Sequence, residues 1–112
     1  RSPLCGSTVT VDVEVADGRI IGFGHDVKAC ALGQAAASIV ARGILGLTQT
    51  EVRRARDQLR AMLKSNGPTP GAPFEELKIL QPAREYKNRH ASILLSLEAT
   101  VEAMDQAAAA CA

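Results

Sequence analysis

The side chains of this 112-residue chain best suited to hold a soft metal or act as nucleophiles are Cys5, Cys30, Cys111, His25 and His90. The spacing of Cys5 and Cys30 matches no zinc-finger pattern, and thiols of that kind are more often plain buried side chains than ligands. Their settings argue for more. Cys5 lies in Pro3-Leu4-Cys5-Gly6-Ser7, a tight turn leading into an extended run, where Gly6 lets the backbone come close to a ligand. Cys30 stands just before a helical stretch, where unpaired amide donors and the helix dipole favour thiolate over thiol. Two thiolates at strand and helix ends would make a soft-metal site. Cys111, near the end in a run of alanines, reads as an exposed terminal thiol. His25 reads as a packed or edge histidine of a strand, and His90 as the better ligand candidate of the two histidines.

The elements that must position these residues follow from periodicity. Thr8 to Val15 alternates strictly, with Val9, Val11, Val13 and Val15 on one face and Thr8, Thr10, Asp12 and Glu14 on the other, which predicts a half-buried strand. Asp17-Gly18 is a favoured hairpin pair because both positions tolerate positive φ, and Arg19 to His25 can return as the antiparallel partner. Gly22 and Gly24 in that partner point to a bulge or a close approach of another backbone. After Cys30 the period becomes helical, with Leu32, Ala35, Ala36, Ile39, Val40 and Gly43 predicting a helix from about Ala31 to Leu45. Thr48-Gln49-Thr50-Glu51 is a capping box, followed by the stripe Val52, Ala55, Leu59, Met62 and Leu63 up to Lys64. Arg53, Arg56 and Arg60 line one side of this second helix and read as a solvated face. Gly67, Pro68, Pro70, Gly71 and Pro73 make residues 65–73 a connection that cannot be helical and is expected to be mobile. A short helix over Phe74 to Leu80 and a final one from about His90 to Ala108, with Leu94, Leu97, Val101 and Met104 inward, complete the order.

A hairpin followed by helices reads as α+β: a small antiparallel sheet, made of the hairpin 8–25 and open to one further strand, with helices packed on one face. At this length the chain fits a single domain, 1–112. Its 46% apolar and 22% charged residues exclude a disordered chain. A net charge of +1, one Tyr and two Phe leave neither an electrostatic footprint nor stacking platforms for nucleic acid. No apolar run approaches the roughly 18 residues of a membrane span, and no signal-peptide pattern opens the sequence, so a cytoplasmic protein is expected. In that compartment an odd number of cysteines reads as thiols or metal ligands before it reads as disulfides. The absence of an initiator Met leads us to expect an upstream segment.

The segment from Pro3 to Ser38, PLCGSTVTVDVEVADGRIIGFGHDVKACALGQAAAS, resembles the start of the U-type iron–sulfur scaffolds IscU, SufU and the amino-terminal domain of NifU. Their pattern is C-G-D, a valine-rich strand, D-G-x-I, a second strand, then G-C-A-I-S-x-A-S-A-S, and this chain follows it without gaps. Arg42-Gly43 with Leu47-Thr48 and Glu51 resembles the family's K-G-K-T-x-x-E, and Phe74-Glu75-Glu76-Leu77 its W-E-x-L. The long Gly/Pro connection is closer to the SufU-like branch. Two family positions are degenerate. Ser7 replaces the aspartate of C-G-D, and the third cysteine is absent from Arg89-His90-Ala91-Ser92-Ile93-Leu94-Leu95-Ser96-Leu97-Glu98-Ala99. Anchoring on Arg89, Leu95 and Ala99 puts Ser92 at that cysteine; anchoring on His90 and Ile93-Leu94 puts Ala91 there. The first register keeps the helical apolar positions aligned and is preferred.

The resemblance implies a SufU/IscU-like fold and a scaffold, not an enzyme, on which iron and sulfide are assembled and passed to apo-proteins. It implies Cys5 and Cys30 as ligands of iron or a transient 2Fe-2S cluster, with His90 as an auxiliary ligand and zinc as another metal the thiols suit. A cluster of this kind normally takes four protein ligands, so two chains, a homodimer, would share one. A cysteine desulfurase is implied as partner, with sulfur arriving as a persulfide. The lost ligands also admit a different reading, a metal-free adaptor or regulator of the desulfurase that keeps the fold.

Overall fold

The structure, a computed structural model, describes residues 8–65 and 67–111, the side chains of the last three excepted. Two strands, β1 (Thr8–Ala16) and β2 (Arg19–Lys28), form an antiparallel hairpin, and helices α1 (Ala31–Gly43), α2 (Gln49–Lys64) and α3 (His90–Cys111) follow. Between α2 and α3 run two 3-10 segments, Glu75–Glu85 and Lys87–Arg89. The fold is the α+β arrangement expected.

The hairpin turns at Asp17 and Gly18, whose φ values of 53° and 76° are those a two-residue turn of this hand requires. Val9 pairs with Val27, Val11 with His25 and Val13 with Phe23, so the valine face of β1 continues across β2. The register slips between Glu14 and Val15, which leaves Ile21 as an extra residue of β2. One residue changes the face of everything beyond it. Ile20 is therefore buried at 1% exposure, whereas Ile21 is 60% exposed. The bulge lies next to Gly22, where an added Cβ would meet Glu14 Cβ at 3.2 Å.

Beyond the hairpin, the turn after α1 adds backbone pairing to β2: Ile20 N–H donates to Leu47 O at 3.0 Å and Gly46 N–H to Ile20 O at 2.8 Å. Among the described residues this is a single bridge, Arg19 to Thr48, and not a further strand. Helix α2 begins with the complete capping box. Glu51 N–H donates to Thr48 Oγ1 at 3.2 Å, and Thr48 N–H donates to Glu51 Oε1 at 3.0 Å. Three of its four arginines are in ion pairs: Arg53 with Asp105 of α3 at 2.7 Å, Arg56 with Asp57 at 3.1 Å, and Arg60 with Asp57 at 3.9 Å. Gln49 also donates to Asp105, so the start of α2 is tied to α3.

Several expected boundaries move. Helix α1 ends at Gly43 instead of Leu45, because Ile44 and Leu47 are needed in the core and Gly46, at φ 86°, turns the chain toward β2. Residues 67–73 of the connection are non-helical, as expected, and are tied to α2: Gly67 N–H donates to Ala61 O at 2.9 Å, Gly71 N–H to Gln58 Oε1 at 3.4 Å, and Pro70 is buried. The segment expected as a short helix over 74–80 is the 3-10 segment Glu75–Glu85, which contains Pro82. Its buried side chains Leu77, Leu80 and Ala83, with Phe74 before them, recur every third residue, the period of a 3-10 turn.

Helix α3 is the centre of the molecule and lies against β1, α1 and α2. Leu94, Leu97, Val101 and Met104 are buried as expected, and so are Ile93, Ser92, Ser96 and Thr100. The three small polar residues, spaced by four, form a second buried stripe on the same helix. Thr100 Oγ1 satisfies itself on Ser96 O at 2.8 Å, while Ser96 Oγ has no hydrogen-bond partner among the described residues.

Candidate functional site

Cys30 is the N-cap of α1, with extended backbone at φ −66° and ψ 171°. Its half-buried thiol faces the first turn of α3, where Ser92 Oγ lies 3.5 Å from the sulfur. Ser92 is 2% exposed. The two helices meet here because residue 33 is glycine. A Cβ on Gly33 would come within 2.4 Å of Ser92 Oγ, 2.9 Å of Ala29 Cβ and 3.3 Å of Ser92 O. Gly33 is thus the gap into which the Ser92 hydroxyl fits, directly beside Cys30.

Opposing influences act on the Cys30 thiol. Burial, the largest, pushes its pKa up. The Ser92 hydroxyl, the backbone amides of Gly33 and Leu32, and the Arg89 guanidinium favour the anion and together outweigh burial, so the thiol ends below its ordinary value of 9.0. The amides act by proximity and dipole rather than through a fully formed cap hydrogen bond, since the side chain makes none of good geometry. Toward a thiolate the hydroxyl of Ser92 is the donor. The arrangement is that of a half-buried thiol biased toward the thiolate, the form in which cysteine binds metal or attacks sulfur.

The other candidates fall elsewhere. His90, the first residue of α3, is 4% exposed, and its Nε2 lies 3.2 Å from both Ala83 O and Arg84 O. Carbonyl oxygens only accept, so Nε2 carries the proton and donates to them. The ring is therefore engaged with the preceding 3-10 segment, in a cavity whose lining includes neither Cys30 nor Ser92. His25 is exposed on β2, edge-on to Phe23 with ring centroids 5.3 Å apart and planes at 60°. Ala91 is partly exposed, one residue from the contact that Ser92 makes with Cys30. Cys5, Ser7 and the side chain of Cys111 lie outside the described residues. Among the described residues no group of three or more His, Cys, Asp and Glu side chains converges on one point.

Two residues escaped the reading of the sequence alone. Gly33 was visible as one of many small residues, and its signal is its place: a glycine inside the first turn of a helix forfeits helix propensity and so asks for a packing reason. Arg89 was visible as a motif letter, and its charge on Cys30 emerges from the chain reversal that brings α3 back to α1.

No protein-family model matches the chain, and no curated protein matches it in sequence. Solved structures do. A nitrogen-fixing NifU-like protein (N-terminal) from Brucella abortus is 50% identical, with a TM-score of 0.92 over 95% of this chain and 74% of that one. A hypothetical protein, 20% identical, gives a TM-score of 0.81 over 94% of this chain and 77% of its own. A scaffold protein for the SUF system from Fervidobacterium islandicum AW-1, 19% identical, gives 0.79 over 89% and 73%. These last two are similar in fold.

Proposed function

The chain belongs to the NifU-like amino-terminal family of U-type scaffold proteins, and from that premise we propose that it is an iron–sulfur cluster assembly scaffold. Iron and sulfide are its cargo. Cys5 and Cys30 hold them, a cysteine desulfurase delivers the sulfur as a persulfide, and the product passes to apo-proteins. Two copies of the chain share one cluster, supplying the four ligands such a cluster takes. The chain performs no catalysis of its own and acts in the cytoplasm; among the described residues no helix is long and apolar enough to cross a membrane.

The observation that carries this reading is Cys30, a thiol held toward thiolate at a helix start by Ser92, the first-turn amides and Arg89. Cys5 is the proposed second ligand. Thr8 at the start of β1 pairs with Lys28 at the end of β2, so the chain enters the hairpin at the end from which it leaves toward Cys30. That register supports both thiols serving one site. Ser92 takes the place of the family's third cysteine, and Ser7 that of the aspartate. Serine hydroxyls are weak ligands until deprotonated, so each copy offers two strong donors.

A second reading has an observation of its own. The Ser92 hydroxyl is buried against Cys30 and His90 Nε2 donates to backbone carbonyls, so neighbours that could complete a metal site are engaged otherwise. That favours an adaptor or regulator of a cysteine desulfurase that carries no cluster. Anaerobic reconstitution with iron and sulfide, and separately with zinc, followed by metal and sulfide counts per chain, decides between them. A scaffold takes up iron and sulfide together and loses both in Cys5→Ser and in Cys30→Ser. A folded protein that takes up neither is the adaptor, and one that retains zinc alone is a zinc-dependent sulfur acceptor.

A further inference from the structure

We propose that the free edge of β2, with the groove beside it, is a docking site for an extended segment of a partner protein in which basic residues alternate with small apolar ones. The backbone of Ile20 is paired with Gly46 and Leu47, but beyond it residues 21–28 have no backbone partner other than β1 among the described residues. The edge is open there. A row of unpaired N–H and C=O groups is a template for one more strand, and natural edges are usually guarded by lysine, proline or a covering element. From Gly22 to Val27 there is neither lysine nor proline, and Lys28 comes only at the end of the strand.

The two faces of this edge set the chemistry of an added strand. On the inner face, between β2 and α1, lies a groove of about 340 Å3 lined by His25 and Val27 of the strand and by Gln34, Ala37, Ser38 and Ala41 of the helix. Alanine and serine leave room for every second side chain of an added strand, provided that it is small. Arg42, also at the groove, is held by Glu76 at 2.7 Å. The outer face is acidic. Thr10 pairs with Asp26, Asp12 with Gly24 and Glu14 with Gly22, so these residues share that face. Gly22 has no side chain to hold Glu14 back, and the Glu14 carboxyl carbon lies 3.2 Å from where a Cβ of residue 22 would stand. The charge of β1 is thereby carried over β2 toward the open edge. Asp12, Glu14 and Asp26 are exposed, and among the described residues none has a cation within salt-bridge distance. Lys28, paired with Thr8, offsets one of the three charges. Two copies of this chain set edge to edge would bring their carboxylates together, whereas a basic strand meets them with opposite charge.

The test uses the full chain free of metal, so its outcome is independent of whether the thiols hold a cluster. The peptide acetyl-Lys-Val-Lys-Ala-Lys-Val-Lys-amide is titrated at low ionic strength and followed by amide chemical shifts and amide exchange. Saturable binding is expected, with shifts at residues 22–28 and 34–41, slowed exchange in β2, and weakening as salt is added. Glu14→Gln and Asp26→Asn should each weaken affinity about 3-fold and the double variant about 10-fold. Ser38→Trp, which fills the groove from an exposed position of α1, should weaken it by about 10-fold or more. Melting checks that each variant is folded. Glu98→Gln, an exposed change on α3 outside the groove, should leave affinity unchanged. Methylating alternate peptide nitrogens separates strand pairing from plain charge attraction: one of the two alternate sets should abolish binding and the other should not. Equal effects of the two sets, an unaffected Glu14→Gln/Asp26→Asn variant, or weakening by Glu98→Gln as large as by Asp26→Asn would each overturn the proposal. So would protection of the β2 amides by self-association without peptide, which would make a second copy the occupant.

Discussion

Replacing Gly33 with alanine tests the contact on which the thiol site is built. In an ordinary helix the change stabilises by up to about 1 kcal/mol, because glycine has the poorer propensity. Here the new methyl would sit 2.4 Å from Ser92 Oγ and 2.9 Å from Ala29 Cβ, both closer than real contacts allow. Forcing a methyl into a packed contact typically costs about 1–3 kcal/mol, so with the propensity gain set against it the structure predicts net destabilisation of about 1 kcal/mol, within a range of about 0–2 kcal/mol. For a chain of this length each kcal/mol lowers the melting temperature by about 4 °C. Ser92→Ala removes the atom at 2.4 Å and leaves the backbone in place. The double variant Gly33→Ala/Ser92→Ala should therefore be less unstable than the sum of the singles, by about 1 kcal/mol. Urea unfolding of the four proteins measures that coupling. A rise in stability for Gly33→Ala, or strict additivity of the two changes, would show that α1 does not close on Ser92 and would remove the physical basis for pairing Ser92 with Cys30.

Three further outcomes are expected. Ser92→Ala removes a donor that favours the Cys30 thiolate, so the pH midpoint for alkylating Cys30, followed by peptide-resolved mass spectrometry, should move up and the rate at neutral pH should fall; Arg89→Gln should act in the same direction more weakly. If the pocket is a metal site short of a ligand, Ser92→Cys should raise iron or zinc retention, whereas Ala91→Cys should not, since neighbouring helical side chains point about 100° apart and Ser92 is the one against Cys30. Thr48→Ala should cost about 1 kcal/mol by breaking the capping box of α2. The Glu51 carboxyl is held below its ordinary value by the Thr48 amide first and its hydroxyl next, with desolvation opposing and Arg19 and Arg54 assisting. Its contribution is thus complete above the usual carboxylate range and is lost as pH falls through the depressed folded value, so the stability gap between wild type and Thr48→Ala should narrow in acid.

Features governed by neighbours in sequence were readable from the sequence. The alternation of Thr8 to Val15, the Asp17-Gly18 turn, the Thr48 to Glu51 capping box and the placing of Cys30 at a helix start all depend on a few adjacent residues, and each stands in the structure. The apolar stripe of α3 was readable for the same reason, since spacing by three and four needs no knowledge of what lies opposite. Features set by what packs against what were not. A single slipped pairing buries Ile20 and exposes Ile21, although both are isoleucines in one strand. Serine and threonine do not read as core residues, yet Ser92, Ser96 and Thr100 are buried because α3 is enclosed by β1, α1 and α2. Spacing made His90 a neighbour of the missing ligand, but its ring turns to the carbonyls of Ala83 and Arg84, which come within reach only through the 3-10 path of the chain. The same holds for the thiol site. That Cys30 sits at a helix start is local, whereas the 3.5 Å contact with a residue 62 positions away exists because Gly33 lacks the one carbon atom that would hold the two helices apart.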